Sequence, residues 1–178
     1  MGKMFLMCGM SGAGKTTFAK KFAEERGYRY LAIDDFYKEY KRIFAPNCEN
    51  LWSDPKASFE VWQDFFRVIN VCELDNDDVV IDTNAPTFVK RAQFIDWFST
   101  FDEHNLIYID ADRDLRRRNN ASRDRIVPDD EMDRMEKEFE SPVWALYSDI
   151  AFSKEDCWDN IFVYRNENNS LIKIPCNN

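Results

Sequence analysis

The sequence is poor in the residue types that build metal and thiol chemistry. It has one histidine, His104, and five cysteines without a Cys-x-x-Cys pair. An odd number of cysteines in this arrangement fits reduced thiols in a cytosol better than a disulfide framework or a zinc site. No cysteine or serine stands out as a partner for His104, so we interpret this histidine as structural.

Long hydrophobic runs and an excess of positive charge are also missing. No stretch approaches the length of a membrane span, and the apolar stretch at the N-terminus is too short for a signal peptide. We therefore expect a cytoplasmic protein that does not engage a membrane. The 24 basic and 33 acidic residues give a net charge of −9, which argues against nonspecific coating of DNA and confines any nucleic-acid contact to a local patch.

What the sequence does contain is an alternation of short apolar runs with amphipathic stretches. Five runs have the length and composition of strands, namely residues 3–8, 28–33, 78–82, 105–110 and 160–164. Aromatic stripes at helical spacing lie between them, at Trp62, Phe65, Phe66 and Ile69 and again at Phe94, Trp97, Phe98 and Phe101. The alternation predicts one α/β domain over residues 1–178, with a parallel five-stranded sheet sandwiched by helices.

The stretch GMSGAGKTTF, residues 9–18, matches the phosphate-binding loop GxxxxGK[ST]. Such a loop turns on its glycines and aims backbone N–H groups at phosphate oxygens, while its lysine reaches the β- and γ-phosphates and its threonine binds Mg²⁺. An apolar strand precedes the loop and an amphipathic helix from about Thr16 to Arg26 follows it, which is the context that a P-loop NTPase fold requires. We predict that ATP and Mg²⁺ bind here, with contacts from Gly9, Ser11, Gly12, Ala13, Gly14, Lys15, Thr16 and Thr17.

The residues that would mark other P-loop classes are missing. The guanine-reading NKxD or TKxD motif of GTPases is absent, and the strand-end carboxylate Asp82 is followed by Thr83 rather than by a water-activating glutamate. Asp82 is nevertheless well placed to sit near Mg²⁺, directly or through water. These features favour a kinase over a GTPase or a motor ATPase.

Two carboxylates follow the second apolar run, in the sequence YLAIDDFYKEY. In a parallel α/β sheet the end of a strand faces the crevice in which ligands bind. A kinase needs a carboxylate there to orient the acceptor hydroxyl and to accept its proton. We predict that Asp34 is this base and that Asp35 supports it, caps the following helix or contacts substrate.

Six arginines lie between Arg113 and Arg125 in a chain that is otherwise acidic. Arginine presents planar, permanently charged donors that suit a phosphoryl group in transfer. We therefore predict an arginine-rich lid over about residues 113–128, with a solvated helix face as the alternative.

Taken together, these motifs make the chain resemble P-loop kinases related to the kinase domain of polynucleotide kinase and, more distantly, zeta toxins and uridine kinase-like enzymes. The resemblance covers about residues 3–145 and rests on the P-loop, on IDDFY, on DTN after the third strand, and on the segment RNNASRDRIVPDDEMDRM. It implies that Asp34 is the general base. It also implies that Arg118 and Arg123, and with less support Arg125, are the lid arginines that act in catalysis.

Two positions depart from the pattern of the polynucleotide kinases. Tyr37, followed by Lys38, replaces an arginine that would contact a phosphate of the acceptor, and Arg91 lies slightly displaced from the arginine expected after DTN. We expect substrate contacts from Asp35, Tyr37, Asn84 and Arg91.

The acceptor itself stays open at this stage. The resemblance favours a polynucleotide 5′-hydroxyl, whereas the acidic surface and Tyr37 favour a nucleoside, a nucleotide sugar or another small alcohol. A nucleotide-dependent switch that acts through a protein partner is a further alternative, although it would have no use for a base at Asp34. The segment from Glu39 to Lys56 is where we expect an acceptor pocket, but it carries no transferable motif.

Overall fold

The computed structural model describes residues 2–49, 51–123, 125–144 and 150–177. The helices are α1 (Lys15–Arg26), α2 (Ile33–Phe44), α3 (Pro55–Asp75), α4 (Phe88–Trp97), α5 (Arg113–Ala121) and α6 (Asp129–Glu138), with a short 3₁₀ helix at Leu51–Ser53. The strands are β1 (Lys3–Cys8), β2 (Arg29–Ala32), β3 (Val79–Asp82), β4 (Glu103–Ala111), β5 (Val143–Trp144), β6 (Ala151–Ser153), β7 (Asn160–Glu167), β8 (Ser170–Ile174) and β9 (Cys176–Asn177). Within the described ranges, no helix combines the length and apolarity needed to cross a membrane.

The main sheet has the strand order β2-β3-β1-β4-β7-β8. The first five strands in this order are parallel, as the sequence predicts, and β8 adds an antiparallel edge strand to β7. The turn between β7 and β8 uses Asn168 and Asn169 at positive φ, a conformation that asparagine tolerates better than most residues. The prediction of five strands was therefore one strand short, because β8 is a half-exposed edge strand without a clear apolar run.

A second, smaller sheet contains β5, β6 and β9 in that order. Strands β5 and β6 pair antiparallel, while β6 and β9 pair parallel. These strands are two or three residues long, so no apolar periodicity announces them in the sequence.

Two hydrophobic layers enclose the main sheet. One layer joins the sheet to α3 and α4 through the fully buried Phe65 and Ile69 and through Phe94, which is 4% exposed. The other packs α1 on the sheet through Ala19 and Ala23, with Phe18 and Phe22 partly buried beside them. Both aromatic stripes therefore face the core as predicted, except that α4 ends at Trp97, whose side chain is 51% exposed.

The entry into α2 differs in detail from the prediction. Strand β2 ends at Ala32, and Asp34 and Asp35 belong to the first turn of α2 rather than to the end of the strand. Two carboxylates are favourable there because the first turn carries the positive end of the helix dipole. The carboxylates stay at the edge of the sheet because Ala32 pairs with Asp82 in parallel register.

Candidate active site

The P-loop connects β1 to α1 and depends on glycines whose backbone other residues cannot easily adopt. Gly9, Gly12 and Gly14 have φ of 136°, 81° and 101°. A Cβ on Gly9 would come within 2.3 Å of the Ile109 carbonyl oxygen, and one on Gly12 would come equally close to the Arg116 carbonyl oxygen. Since real Cβ atoms do not approach so closely, the strand and helix beside the loop leave room for glycine alone.

Lys15 is the cation built into this loop. Its Nζ donates to the carbonyl oxygens of Gly9 at 2.7 Å and Met10 at 3.0 Å, so the side chain folds back over the loop. Burial lowers the pKa of the Lys15 amine, and the Asp82 carboxylate opposes that shift. A negatively charged phosphate in the loop would favour the charged amine in the same way.

Thr16 and Asp82 lie together beneath the loop, as the sequence predicts for a magnesium site. Thr16 Oγ1 donates to Asp82 Oδ2 at 2.6 Å, and the hydroxyl of Tyr30 donates to the same oxygen at 2.9 Å. Asp82 is 7% exposed. Hydroxyl and carboxylate oxygens are the donors that Mg²⁺ prefers, so the residues present fit this ion.

Two cavities meet at the P-loop and share Lys15, Thr16 and Arg123 in their walls. The first, of about 980 Å³, extends along α1 to Tyr164 and the β7–β8 turn, and we call it the nucleotide cavity. The second, of about 530 Å³, extends past Asp82 to α2, the 3₁₀ helix and α6, and we call it the acceptor cavity. This division allows a donor and an acceptor to approach the same lysine from two sides.

Both aspartates of α2 line the acceptor cavity, but their surroundings differ. Asp35 pairs with Lys38 at 3.1 Å, whereas Asp34 has no ion pair or hydrogen bond of its side chain to another described residue. The charge of Asp34 influences Lys15 and Arg125, since it opposes the lowering of both pKa values. Of the two aspartates, Asp34 is therefore the one whose carboxylate is without a partner among the described residues.

The predicted lid consists of α5 and the loop that leads to α6, and its arginines fall into two groups. Arg113, Arg116 and Arg117 form ion pairs with carboxylates of α6, which are Asp129, Asp133 and Glu136. These three therefore hold α5 against α6. Arg123 instead donates to Ser11 Oγ at 3.2 Å, and Arg125 faces the acceptor cavity.

A comparison with protein families identifies the domain. A family model described as AAA domain matches residues 4–142. The chain belongs to this family. Its structural neighbours include kinases, so the P-loop kinase fold expected from the resemblance is confirmed.

Three proteins are similar to this chain, one in sequence and two in structure. A cytidylate kinase of Desulfurococcus amylolyticus is 31% identical over 85 residues, and the match spans 46% of this chain and 44% of that protein's length. A sugar kinase from Janibacter sp. HTCC2649 superimposes with a TM-score of 0.59 at 14% identity, covering 93% of this chain and 86% of that one. A chain of the Pnkp1/Rnl/Hen1 RNA repair complex gives a TM-score of 0.64 at 15% identity, covering 77% of this chain and 43% of that one.

Three residues predicted at the active site of this AAA domain lie elsewhere in the structure. Arg118 is exposed and lines neither cavity. Tyr37 is 5% exposed, its hydroxyl donates to Ser58 Oγ at 2.9 Å, and it stacks on Trp52 behind the acceptor cavity. Arg91 is fully buried and ion-paired with Glu155, so the expected substrate contact is replaced by a structural one.

The structure places other predicted residues in the loop and in the walls of the two cavities. Asn84 lines the acceptor cavity, and Thr17 lines the nucleotide cavity with Gly12 and Gly14. Ala13 is buried under the loop, where its N–H donates to the Met10 carbonyl oxygen at 3.2 Å.

Sequence reasoning missed three asparagines that fasten the loop. Asn119 donates to the Gly12 carbonyl oxygen at 2.9 Å and to Asn169 Oδ1 at 3.0 Å, and Asn166 donates to the Ala13 carbonyl oxygen at 2.8 Å. These contacts tie α5 and the β7–β8 turn to the P-loop. The positions are far apart along the chain, so no local pattern in the sequence could reveal the network.

Proposed function

We propose that the protein is an ATP-dependent kinase that transfers the γ-phosphate to a hydroxyl group of an acceptor. The single observation that carries this proposal is the composition of the acceptor cavity. Its wall contains Lys15 and Thr16 of the P-loop, the carboxylate of Asp34, which has no ion pair among the described residues, and Arg123. A phosphate site, a base and a lid cation around one cavity are the parts that phosphoryl transfer to an alcohol requires.

The roles of these residues follow from their chemistry. The P-loop N–H groups and Lys15 bind the β- and γ-phosphates, and Asp34 orients the acceptor hydroxyl and takes its proton. Arg123 stabilises the charge that develops on the transferred group and its bridging oxygen. Mg²⁺, held by Thr16 and Asp82, would supply further neutralisation of the phosphate oxygens.

The surroundings of Asp34 also favour a kinase over a nucleotide hydrolase. The residue after Asp82 is Thr83 rather than a carboxylate that could activate water. The Thr83 hydroxyl is buried and is a weak base, so it does not take over that role. Asp34 faces the acceptor cavity instead. A carboxylate at that position serves a substrate hydroxyl that fills the cavity and excludes water.

The proposal is tested by incubating the protein with γ-labelled ATP and pools of 5′-hydroxyl RNA, 5′-hydroxyl DNA, nucleosides and nucleotide sugars. Label should appear in at least one pool and should require Mg²⁺. The Lys15→Ala variant serves as the control for contaminating kinases. Release of inorganic phosphate alone, at the same rate with and without every pool, would contradict the proposal.

A further inference from the structure

The guanidinium of Arg125 is held at the acceptor cavity by an aromatic platform. Its central carbon lies 3.8 Å from the centre of the Trp52 ring. Trp52 in turn stacks on Tyr37, with ring centres 5.4 Å apart and planes at 21°. Because Tyr37 is itself anchored to Ser58 at the start of α3, the platform joins three consecutive helical elements.

Arg125 forms no ion pair within 4 Å among the described residues, although the charges of Asp34 and Glu131 oppose the lowering of its pKa. Four other arginines of this region, Arg113, Arg116, Arg117 and Arg134, are all ion-paired with acidic side chains of α6. Although the Arg125 side chain as a whole is exposed, partial burial lowers its pKa. A partly dehydrated guanidinium in the wall of a cavity is a binding group for an anion.

Arg123 and Arg125 differ in which of the two cavities they line. Arg123 lines both cavities and contacts Ser11 of the P-loop, so on the proposed function it lies beside the phosphates of ATP. Arg125 lines the acceptor cavity alone and contacts Trp52 rather than the P-loop. From this position Arg125 can contact the acceptor but not the nucleotide.

The acceptor cavity is the size of a small-molecule site. Its volume of about 530 Å³ falls within the range of roughly 300–1,000 Å³ that is usual for such sites. Trp52 is covered by Tyr37 on one side and by Arg125 on the other, so a nucleic-acid base cannot stack on its ring.

We infer that Arg125, positioned by Trp52, binds an anionic group, either phosphate or carboxylate, on a small hydroxyl-bearing acceptor. The inference rests on the proposed kinase function and names the class of its acceptor. The hydroxyl of the acceptor meets Asp34 while its anionic group meets Arg125. Neutral alcohols of the same size lack the second contact and should be poor acceptors.

Pairs of probes that differ only in charge test this assignment. The pairs are D-gluconate with D-glucose, and cytidine 3′-monophosphate with cytidine. Each compound is titrated calorimetrically into protein that is saturated with ADP and Mg²⁺. In a separate assay, each compound is tested as an acceptor of label from ATP. We expect the charged member of at least one pair to bind about tenfold or more tightly than the neutral member. Arg125→Gln should reduce that preference to within about twofold while the Kd of ATP changes little, and Arg125→Lys should keep part of it because a point charge replaces the planar fork.

A matched control is Arg67→Gln, because Arg67 is an exposed arginine of α3 that pairs only with Asp64. It should leave the charge preference intact. Three results would overturn the inference. The charged and neutral members could bind equally, every charged probe could fail to bind, or Arg125→Gln could weaken ATP binding as much as binding of the charged probe. Strong preference for a 5′-hydroxyl oligonucleotide over cytidine 3′-monophosphate would overturn the small acceptor. Transfer to neutral alcohols alone would also overturn the inference and yet support the kinase, whereas absence of transfer to any acceptor would count against the kinase itself.

Discussion

Removal of one partner from the buried Arg91–Glu155 ion pair should destabilise the protein strongly without altering the active site. Arg91 is fully buried, and the Glu155 side chain is 3% exposed. Arg91 Nε donates to Glu155 Oε1 at 3.0 Å, and its Nη1 and Nη2 donate to the carbonyl oxygens of Ala85 at 3.0 Å and Glu140 at 2.8 Å. Burial alone would lower the pKa of Arg91, but the bonds to Glu155 raise it above its ordinary value, so the guanidinium is charged.

The magnitude follows from what Arg91→Met would leave behind. The Glu155 carboxylate would stay buried with the indole N–H of Trp158, 2.9 Å away, as its remaining donor, and two carbonyl oxygens would lose their donor. Breaking a buried pair by removing one member costs about 3–5 kcal/mol. For a domain of this size each kcal/mol corresponds to roughly 2–4 °C in Tm, so we expect Tm to fall by about 6–20 °C.

The assay is thermal unfolding followed by circular dichroism, with Arg67→Met as a control for loss of a surface arginine. The Arg67–Asp64 pair is exposed and should contribute about 1 kcal/mol or less. The double variant Arg91→Met/Glu155→Gln should cost less than the sum of the two single variants, because the uncompensated charge is then absent. A Tm of Arg91→Met within about 2 °C of the wild type, together with a raised acceptor KM, would refute this reasoning and restore Arg91 as a substrate contact.

Three further predictions concern the active site. Lys15→Ala should weaken ATP binding by about tenfold or more in calorimetry, because a charge-assisted contact to phosphate is lost, and unchanged affinity would contradict the P-loop assignment. Tyr30→Phe should raise the Mg²⁺ concentration needed for half-maximal ATP binding, because Asp82 Oδ2 loses one of its two donors and its position is less well defined; an unchanged Mg²⁺ titration would limit Tyr30 to packing. Arg123→Ala should lower kcat more than it raises the Kd of ATP, because the charge it stabilises is largest in the transition state, and equal losses in both parameters would make it a ground-state contact.

The parts of the site that could be predicted from the sequence are those encoded over a few residues. The P-loop combines fixed spacing with a strand before it and a helix after it, so Lys15 and Thr16 were identifiable and lie together with Asp82 as expected. Asp34 and Asp35 were identifiable because they follow the end of a strand, even though they belong to the first turn of α2.

The remaining features depend on contacts between residues that are distant along the chain. Arg91 was predicted as a substrate contact from the resemblance. Its partner Glu155 is 64 positions away, and only the fold shows that the two are buried together. Similarly, the six arginines of the lid cannot be told apart in the sequence. The structure separates them, because three of them form ion pairs with carboxylates of α6. Trp52 gave no signal because an aromatic residue in a loop has no periodicity, and its role depends on Arg125 and Tyr37 packing against it.

The central claim is that Asp34 is the base of a phosphoryl transfer, and the most direct test compares Asp34→Asn with Asp35→Asn. Asparagine keeps the shape of the side chain but cannot accept the proton of the acceptor hydroxyl. We predict that Asp34→Asn lowers kcat for transfer from γ-labelled ATP by about 10²-fold or more while the calorimetric Kd of ATP stays within about twofold of the wild type, and that Asp35→Asn has a much smaller effect on kcat. A large loss in Asp35→Asn with a small loss in Asp34→Asn, or transfer unaffected in both variants, would contradict the account.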